Sequence, residues 1–214
     1  PSMQRRSLVA ASTRMTHSDP RALWAAQAIA DVVAMECETA AAQAALLNTI
    51  TAVAPDEEWQ KVCVTLRDHL ERGSDAATYA AALGLANGVT GYALHSAPVA
   101  LFCWLRYRPD FATAMRAALQ LGGDTDSVGA MVGAMAGASI GALALPATLI
   151  DTIVDWPISV ALIRQTGHLL GAPAWRDDAI ARRRRWYFWP GQLVRNVVVF
   201  GTCVVHLLRR AVRR

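Results

Sequence analysis

The sequence predicts an all-α protein built as an orthogonal bundle of about ten helices, and three observations carry that expectation. No stretch alternates at period two with the Val, Ile and Thr enrichment and turn residues of a hairpin. Ala- and Leu-rich segments follow one another, many of them preceded by an Asp, Ser or Thr and several closed by Gly or basic residues. Over 214 residues, 54% apolar and 18% charged composition describes a globular chain with one sizeable core rather than a disordered one.

In chain order, a helical pattern is already under way at Gln4, and with Pro1 in place of Met it leads us to expect further residues upstream. Thr16-His17-Ser18-Asp19-Pro20 stops one helix and starts the next. Asp19 is a good N-cap, Pro20 suits a first helical position that needs no N–H, and Ala-rich sequence runs to about Ala34. A third helix is expected from Thr39 to Ala54. A fourth opens at Pro55-Asp56-Glu57-Glu58, with acids at the positive end of its dipole, and closes on Arg67, Arg72 and Gly73. Ser74 is expected to cap a short helix reaching Leu85, and Asn87-Gly88-Val89-Thr90-Gly91 is a loop by its turn chemistry. Gly91-Tyr92-Ala93-Leu94-His95-Ser96-Ala97-Pro98 leads into the apolar helix VALFCWLRYRPD, and Phe111 to Gln120 delivers the chain to Gly122. Asp155-Trp156-Pro157 starts a later helix to about Leu170, with Pro157 in its first turn.

Most of the chemistry is concentrated in Leu121-Gly122-Gly123-Asp124-Thr125-Asp126-Ser127, where an uncharged run of 24 residues begins at Ser127. Two glycines free the backbone, and two carboxylates and two hydroxyls gather where a helix should begin. Hard cations such as Mg²⁺ or Mn²⁺ select oxygen ligands. Asp124 and Ser127 share a helical face, with Asp126 capping or ligating beside them. The same residue types serve as ordinary N-caps, and both readings stand. An EF-hand is excluded, because Val128 and Met135 occupy the fifth and twelfth positions of such a loop.

After this corner Gly129, Gly133, Gly137 and Gly141 recur every fourth residue, a ridge on one helical face. Four glycines cost a helix about 4 kcal/mol relative to alanines, so a neighbouring helix must approach closely to offset them. A membrane span is disfavoured: Ala and Gly outnumber Leu and Ile, acids stand at one end, and Pro146 breaks the run. A buried central helix of a globular α-protein accounts for all of this.

Charge is unevenly distributed. Residues 1–175 hold 11 basic against 15 acidic residues, whereas 176–214 hold 10 against 2, which suggests a helical domain over 1–175 and a basic, apolar extension over 176–214. A uniformly basic nucleic-acid-binding surface is excluded. Cys37, Cys63, Cys103 and Cys203 lack metal-knuckle or disulfide spacing and suit a reducing cytoplasm. Arg14 interrupts the apolar residues that follow Arg5-Arg6, so no export signal is expected and we place the chain in the cytoplasm. Asp177-Asp178 precede AIARRRR and read as first-turn helix acids rather than metal ligands. Arg195 and Asn196 divide the apolar tail, leaving Val197 to Leu208 too short to span. The tail is expected to be an amphipathic helix docked on the domain, an anionic membrane surface being the less favoured partner.

The string GGDTDSVGAMVGAMAGASIGA resembles the C-terminal metal-binding signature of the ADP-ribosylglycohydrolases, the family that includes the dinitrogenase reductase-activating glycohydrolase. There Gly-Gly-Asp-Thr-Asp-Thr runs into a small-residue helix, and Ser127 keeps the hydroxyl of the usual Thr. Thr16-His17-Ser18-Asp19-Pro20 is similar to the family's Thr-His-x-Asp-Pro element at the substrate cleft, and Gly91 to Pro98 is similar to the stretch lining the ADP-ribose pocket. The resemblance covers roughly residues 1 to 170 and implies hydrolysis of the glycosidic bond between ADP-ribose and a protein side chain or related conjugate, at a dinuclear Mg²⁺ or Mn²⁺ centre. It implies Asp124 and Asp126 as catalytic residues and, with Ser127, as metal ligands. It places His17, Tyr92, Ser96, Gly122 and Gly123 at the substrate, with Tyr92 stacking on adenine or ribose and Ser96 hydrogen-bonding the ligand. By residue type alone, Tyr92 serves equally in a core and Ser96 equally as an N-cap. The family's Thr/Ser-Asp-Asp motif and Gly-rich phosphate segment do not precede residue 122. The likeness is therefore to the C-terminal part of such an enzyme, and this chain alone is expected to be inactive.

Overall fold

The computed structural model describes residues 2–35, 39–153, 159–171 and 189–212. Among the described residues there are eleven α-helices and no strand, as the missing period-two alternation predicts. Two compact units divide the chain, Pro1–Leu145 and Pro146–Arg214.

In the first unit, α1 (Ser2–Arg14) and α2 (Pro20–Ala34) are joined by the expected stop-and-start, and Asp19 accepts from the Arg21 N–H at 2.9 Å. Thr39 caps α3 (Ala40–Thr51), and Asp56 caps α4 (Glu57–Glu71) through the Glu58 and Trp59 N–H groups. Two expectations are corrected at α5 (Ala76–Ala82). Its cap is Asp75, which accepts from the Thr78 N–H at 2.7 Å, while the Ser74 hydroxyl pairs with His69 Nδ1 at 3.0 Å. The helix also stops short of Leu85, because Gly84 turns the backbone away at φ +76°. Asp110 caps α7 (Phe111–Gln120), and α8 spans Thr125–Ile140.

The helix at the centre is α6 (Ala93–Tyr107), not α8 as the sequence suggested. Leu94 and every residue from Ser96 to Leu105 are buried, and α2, α4, α5, α7 and α8 all pack around them. By contrast, α8 buries only Val128, Val132, Met135 and Ala136, a single stripe, with α6, α7 and α2 packed beside the helix. The reason is area. Phe102, Trp104 and the leucines of α6 point in every direction, whereas the Gly and Ala residues of α8 have little apolar surface to remove from water.

The glycine ridge behaves as expected over half its length. A Cβ on Gly129 would come within 3.3 Å of Leu119 Cδ2, and one on Gly133 within 3.8 Å of Met115 Cε, so α7 lies close there. Gly137 faces open space, and Gly141, at φ +78°, ends the helix. The uncharged run is thus several elements: α8, a 3-10 turn at Ala142–Ala144, and α9 (Ala147–Ile150).

The second unit contains α9, α10 (Val160–Gly171) and α11 (Trp189–Val212). The expected start at Asp155-Trp156-Pro157, the pair Asp177-Asp178 and the run Arg182 to Arg185 lie outside the described residues. Cys63 and Cys103 are buried free thiols, which burial pushes up to about 11 and about 12, so neither is a ready thiolate.

Candidate functional site

Two loops distant in sequence lie side by side. The Val89 N–H donates to the Gly122 carbonyl at 3.1 Å and the Asp124 N–H donates to the Val89 carbonyl at 2.8 Å, an isolated parallel bridge between Val89 and Gly123. Gly122 and Gly123 take φ values of +72° and +78°, and a Cβ on Gly123 would stand 2.6 Å from the Val89 nitrogen. The close approach that demands glycine here is therefore to the Val89 backbone. The bridge also brings Gly91 next to Asp124, since a Cβ there would lie 3.4 Å from Asp124 Oδ2.

Asp124 occupies the N-cap position of α8, yet its side chain makes no capping hydrogen bond. Asp19, Asp56, Asp75 and Asp110 all do so at their own helices. Its carboxyl instead meets that of Asp126. This hydrogen bond, followed by the backbone N–H groups of Asp126 and Ser127, holds the Asp126 carboxyl below the usual carboxylate range.

Asp124 and Ser127 line one side of a cavity of about 350 Å³, within the range that holds small organic ligands. Ser12, Thr13, Thr16 and His17 form a hydroxyl-rich wall, Ala22 to Ile29 of α2 and Met131 an apolar one, and Ala93, Ser96 and Ala97 of α6 close the space. The Thr16 hydroxyl and His17 Nδ1 are 2.8 Å apart. Ser96, 6% exposed, lies inside α6 and not at its cap, and its hydroxyl donates to the Tyr92 carbonyl at 3.3 Å.

The structure thus gathers His17, Ser96, Asp124 and Ser127 around one cavity, with Asp126 reached through Asp124 and Gly122-Gly123 forming the bridge that positions both. Tyr92 is engaged elsewhere. Its hydroxyl donates to Glu58 Oε1 at 2.9 Å, and Arg21 Nε donates to Glu58 Oε2 at 2.8 Å. Those two bonds, Arg21's the larger, hold the Glu58 carboxyl below its usual range. The Tyr92 ring meets His95 edge-on at 4.9 Å, and the Thr90 hydroxyl pairs with His95 Nδ1 at 2.8 Å.

Sequence reasoning missed Ser12 and Thr13. Their only signal was a pair of hydroxyls on the last turn of the helix that leads into Thr16 and His17. That helix is attached to α2 by Arg5, whose Nε and Nη2 both donate to the buried Asp31 Oδ1, at 3.1 and 2.6 Å.

Asp124, Asp126 and Ser127 supply three oxygen donors. That fits in kind, and in number, the protein share of one hard cation that keeps several waters, and it falls short of two. No group of three or more His, Cys, Asp or Glu side chains able to hold a metal occurs among the described residues. Residues 2–186 match the family model described as ADP-ribosylglycohydrolase. No curated protein matches the chain.

Proposed function

The chain belongs to the ADP-ribosylglycohydrolase family, and from that premise we propose that its cavity receives the ADP-ribosyl group of a modified protein or related conjugate for metal-assisted hydrolysis of the glycosidic bond. The family is one of hydrolases acting on ADP-ribose conjugates. The observation that carries the finer reading is Asp124, a carboxylate at the cavity that stands at an N-cap and does not cap. An Asp kept from the bond that usually stabilises it there is available to a ligand.

Each wall suits one part of such a substrate. The Ser12 hydroxyl offers a donor and an acceptor to ribose hydroxyls, Thr13, which donates to the Val9 carbonyl at 2.8 Å, offers an acceptor, and the Thr16–His17 pair adds polar atoms at the rim. Ala25, Ile29 and Met131 present an apolar surface to a sugar or base face. Asp124 and Asp126 place negative charge where the anomeric carbon becomes positive as its bond opens. A bound Mg²⁺ or Mn²⁺ supplies Lewis acidity and a template for the ribose hydroxyls. Because three oxygens do not complete two ions, the remaining ligands have to come from outside the described residues. The 214-residue chain alone is expected to bind metal weakly and to release no ADP-ribose.

The test compares Asp124→Ala with Asp75→Ala. Asp124→Ala should remove Mn²⁺ binding in calorimetry while shifting folding stability by no more than about 0.5 kcal/mol. Asp75→Ala should leave metal binding alone and lose about 1 kcal/mol, the usual loss at a working cap. Unchanged metal affinity in Asp124→Ala, with a cap-sized loss of stability, would make the corner a cap only. Turnover is followed as free ADP-ribose by liquid chromatography, with and without an added segment carrying a Thr/Ser-Asp-Asp motif. Robust metal-dependent release by the chain alone would refute the incomplete-site reading.

A further inference from the structure

The apolar side chains of α11 stand in solvent: Val197 is 70% exposed, Phe200 71% and Leu207 64%. Contrary to the expectation that Arg195 and Asn196 leave too little apolar chain to span, the stretch Pro190–Ala211 is long and apolar enough to cross a membrane by length and composition, and none of it is buried. Its residues are sorted by face. At about 3.6 residues per turn, Leu193, Val197, Phe200, Val204, Leu207 and Leu208 fall along one side. Gln192, Arg195, Asn196, His206, Arg209 and Arg210 fall along the other, with Val199 and Cys203 between them. The helix carries no Asp or Glu at all.

We propose that α11 lies in the plane of an anionic lipid surface, with its apolar side among the acyl chains and Arg209 and Arg210 at the headgroups. A partner for this helix has to be apolar on one side and anionic along the boundary, and a bilayer interface supplies both at once. A second copy would cover the apolar side and leave Arg209 and Arg210 without counter-charge. A transmembrane placement would draw Arg195, Asn196 and His206 into hydrocarbon. The proposal is independent of the chemistry in the cavity.

Flotation of the full 214-residue chain with phosphatidylcholine vesicles, with and without phosphatidylserine, tests it. The chain should float with the anionic vesicles and not with the neutral ones, and about 1 M salt, where the Debye length falls to about 3 Å, should weaken the binding. Val197→Asp with Phe200→Asp should abolish flotation. Arg209→Gln with Arg210→Gln should lower partitioning about thirty-fold at low salt. All four positions are on an exposed helix, so circular dichroism and the melting temperature should not change. Equal flotation with neutral vesicles, or retention through high salt and alkaline carbonate as for a spanning helix, would overturn the in-plane placement. So would an absence of flotation together with a dimer that the Val197→Asp, Phe200→Asp pair dissociates, which would give the face to a second copy.

Discussion

At Gly123 a side chain has nowhere to go: an added Cβ would stand 2.6 Å from the Val89 nitrogen and 2.9 Å from its carbonyl carbon, on a backbone already at φ +78°. Gly122 shares the positive φ but has open space around its missing Cβ. Gly122→Ala should therefore cost only the strain of the left-handed region, about 1–2 kcal/mol, and Gly123→Ala clearly more, since the bridge to Val89 must open. Urea denaturation checks this, and equal losses would refute the close approach. The sequence marked both glycines as special and put the close approach at the substrate, whereas at Gly123 it is to Val89, which belongs to a separate loop. Asp124 was ambiguous for a related reason. Caps and ligands use the same residue types, and only the absence of the capping bond separates the readings.

Helix boundaries were legible wherever a carboxylate or hydroxyl accepts from its own first turn, as at Asp19, Thr39 and Asp56. Ser74 failed as a cap because Asp75, one residue on, is the better acceptor and His69 engages the serine hydroxyl. The identity of the central helix was not legible, since small apolar residues suit a buried and a half-buried helix alike, and only the packing of α6 decides. The unequal roles of the glycines in α8 give this scale its prediction. Gly137→Ala meets no neighbour and should stabilise the protein by up to about 1 kcal/mol through helix propensity alone. At Gly129 the new methyl would press on Leu119 Cδ2 at 3.3 Å and Met115 Sδ at 3.5 Å, which should cancel most of that gain or reverse it. Equal stabilisation at both positions in denaturant titrations would show that α7 does not constrain α8.

At the scale of the whole molecule, acid stability follows from carboxylates that work in the native state. The Asp75 carboxyl is held below its usual range chiefly by the Thr78 N–H, and that of Asp110 by the Thr113 hydroxyl and N–H. A depressed native value means stability that is present above the unfolded value of about 4 and lost as pH falls through the native ones. Melting temperature should therefore be flat near neutrality and fall below about pH 4. Replacing Asp75 and Asp110 by Asn, which still caps, should flatten the fall; an unchanged acid limb would exclude these caps as its source. The all-α class was legible in full at this scale, but the division of the chain was only half so. The charge shift near residue 176 is written in the arginines, whereas nothing in composition marks the contact boundary between Pro1–Leu145 and Pro146–Arg214. Among the described residues, every buried side chain lies between Ala25 and Ala136, and the cavity is lined only by residues from Ser12 to Met131. Chains ended after residue 145 and after residue 175 should therefore melt cooperatively, within a few degrees of each other and of the full chain. Both should keep whatever ADP-ribose binding the full chain shows in calorimetry, and neither should float with anionic vesicles. If the shorter chain melted without cooperativity while the longer one did not, residues 146–175 would be part of the folding unit that holds the cavity, and the boundary would belong where the charge shift puts it.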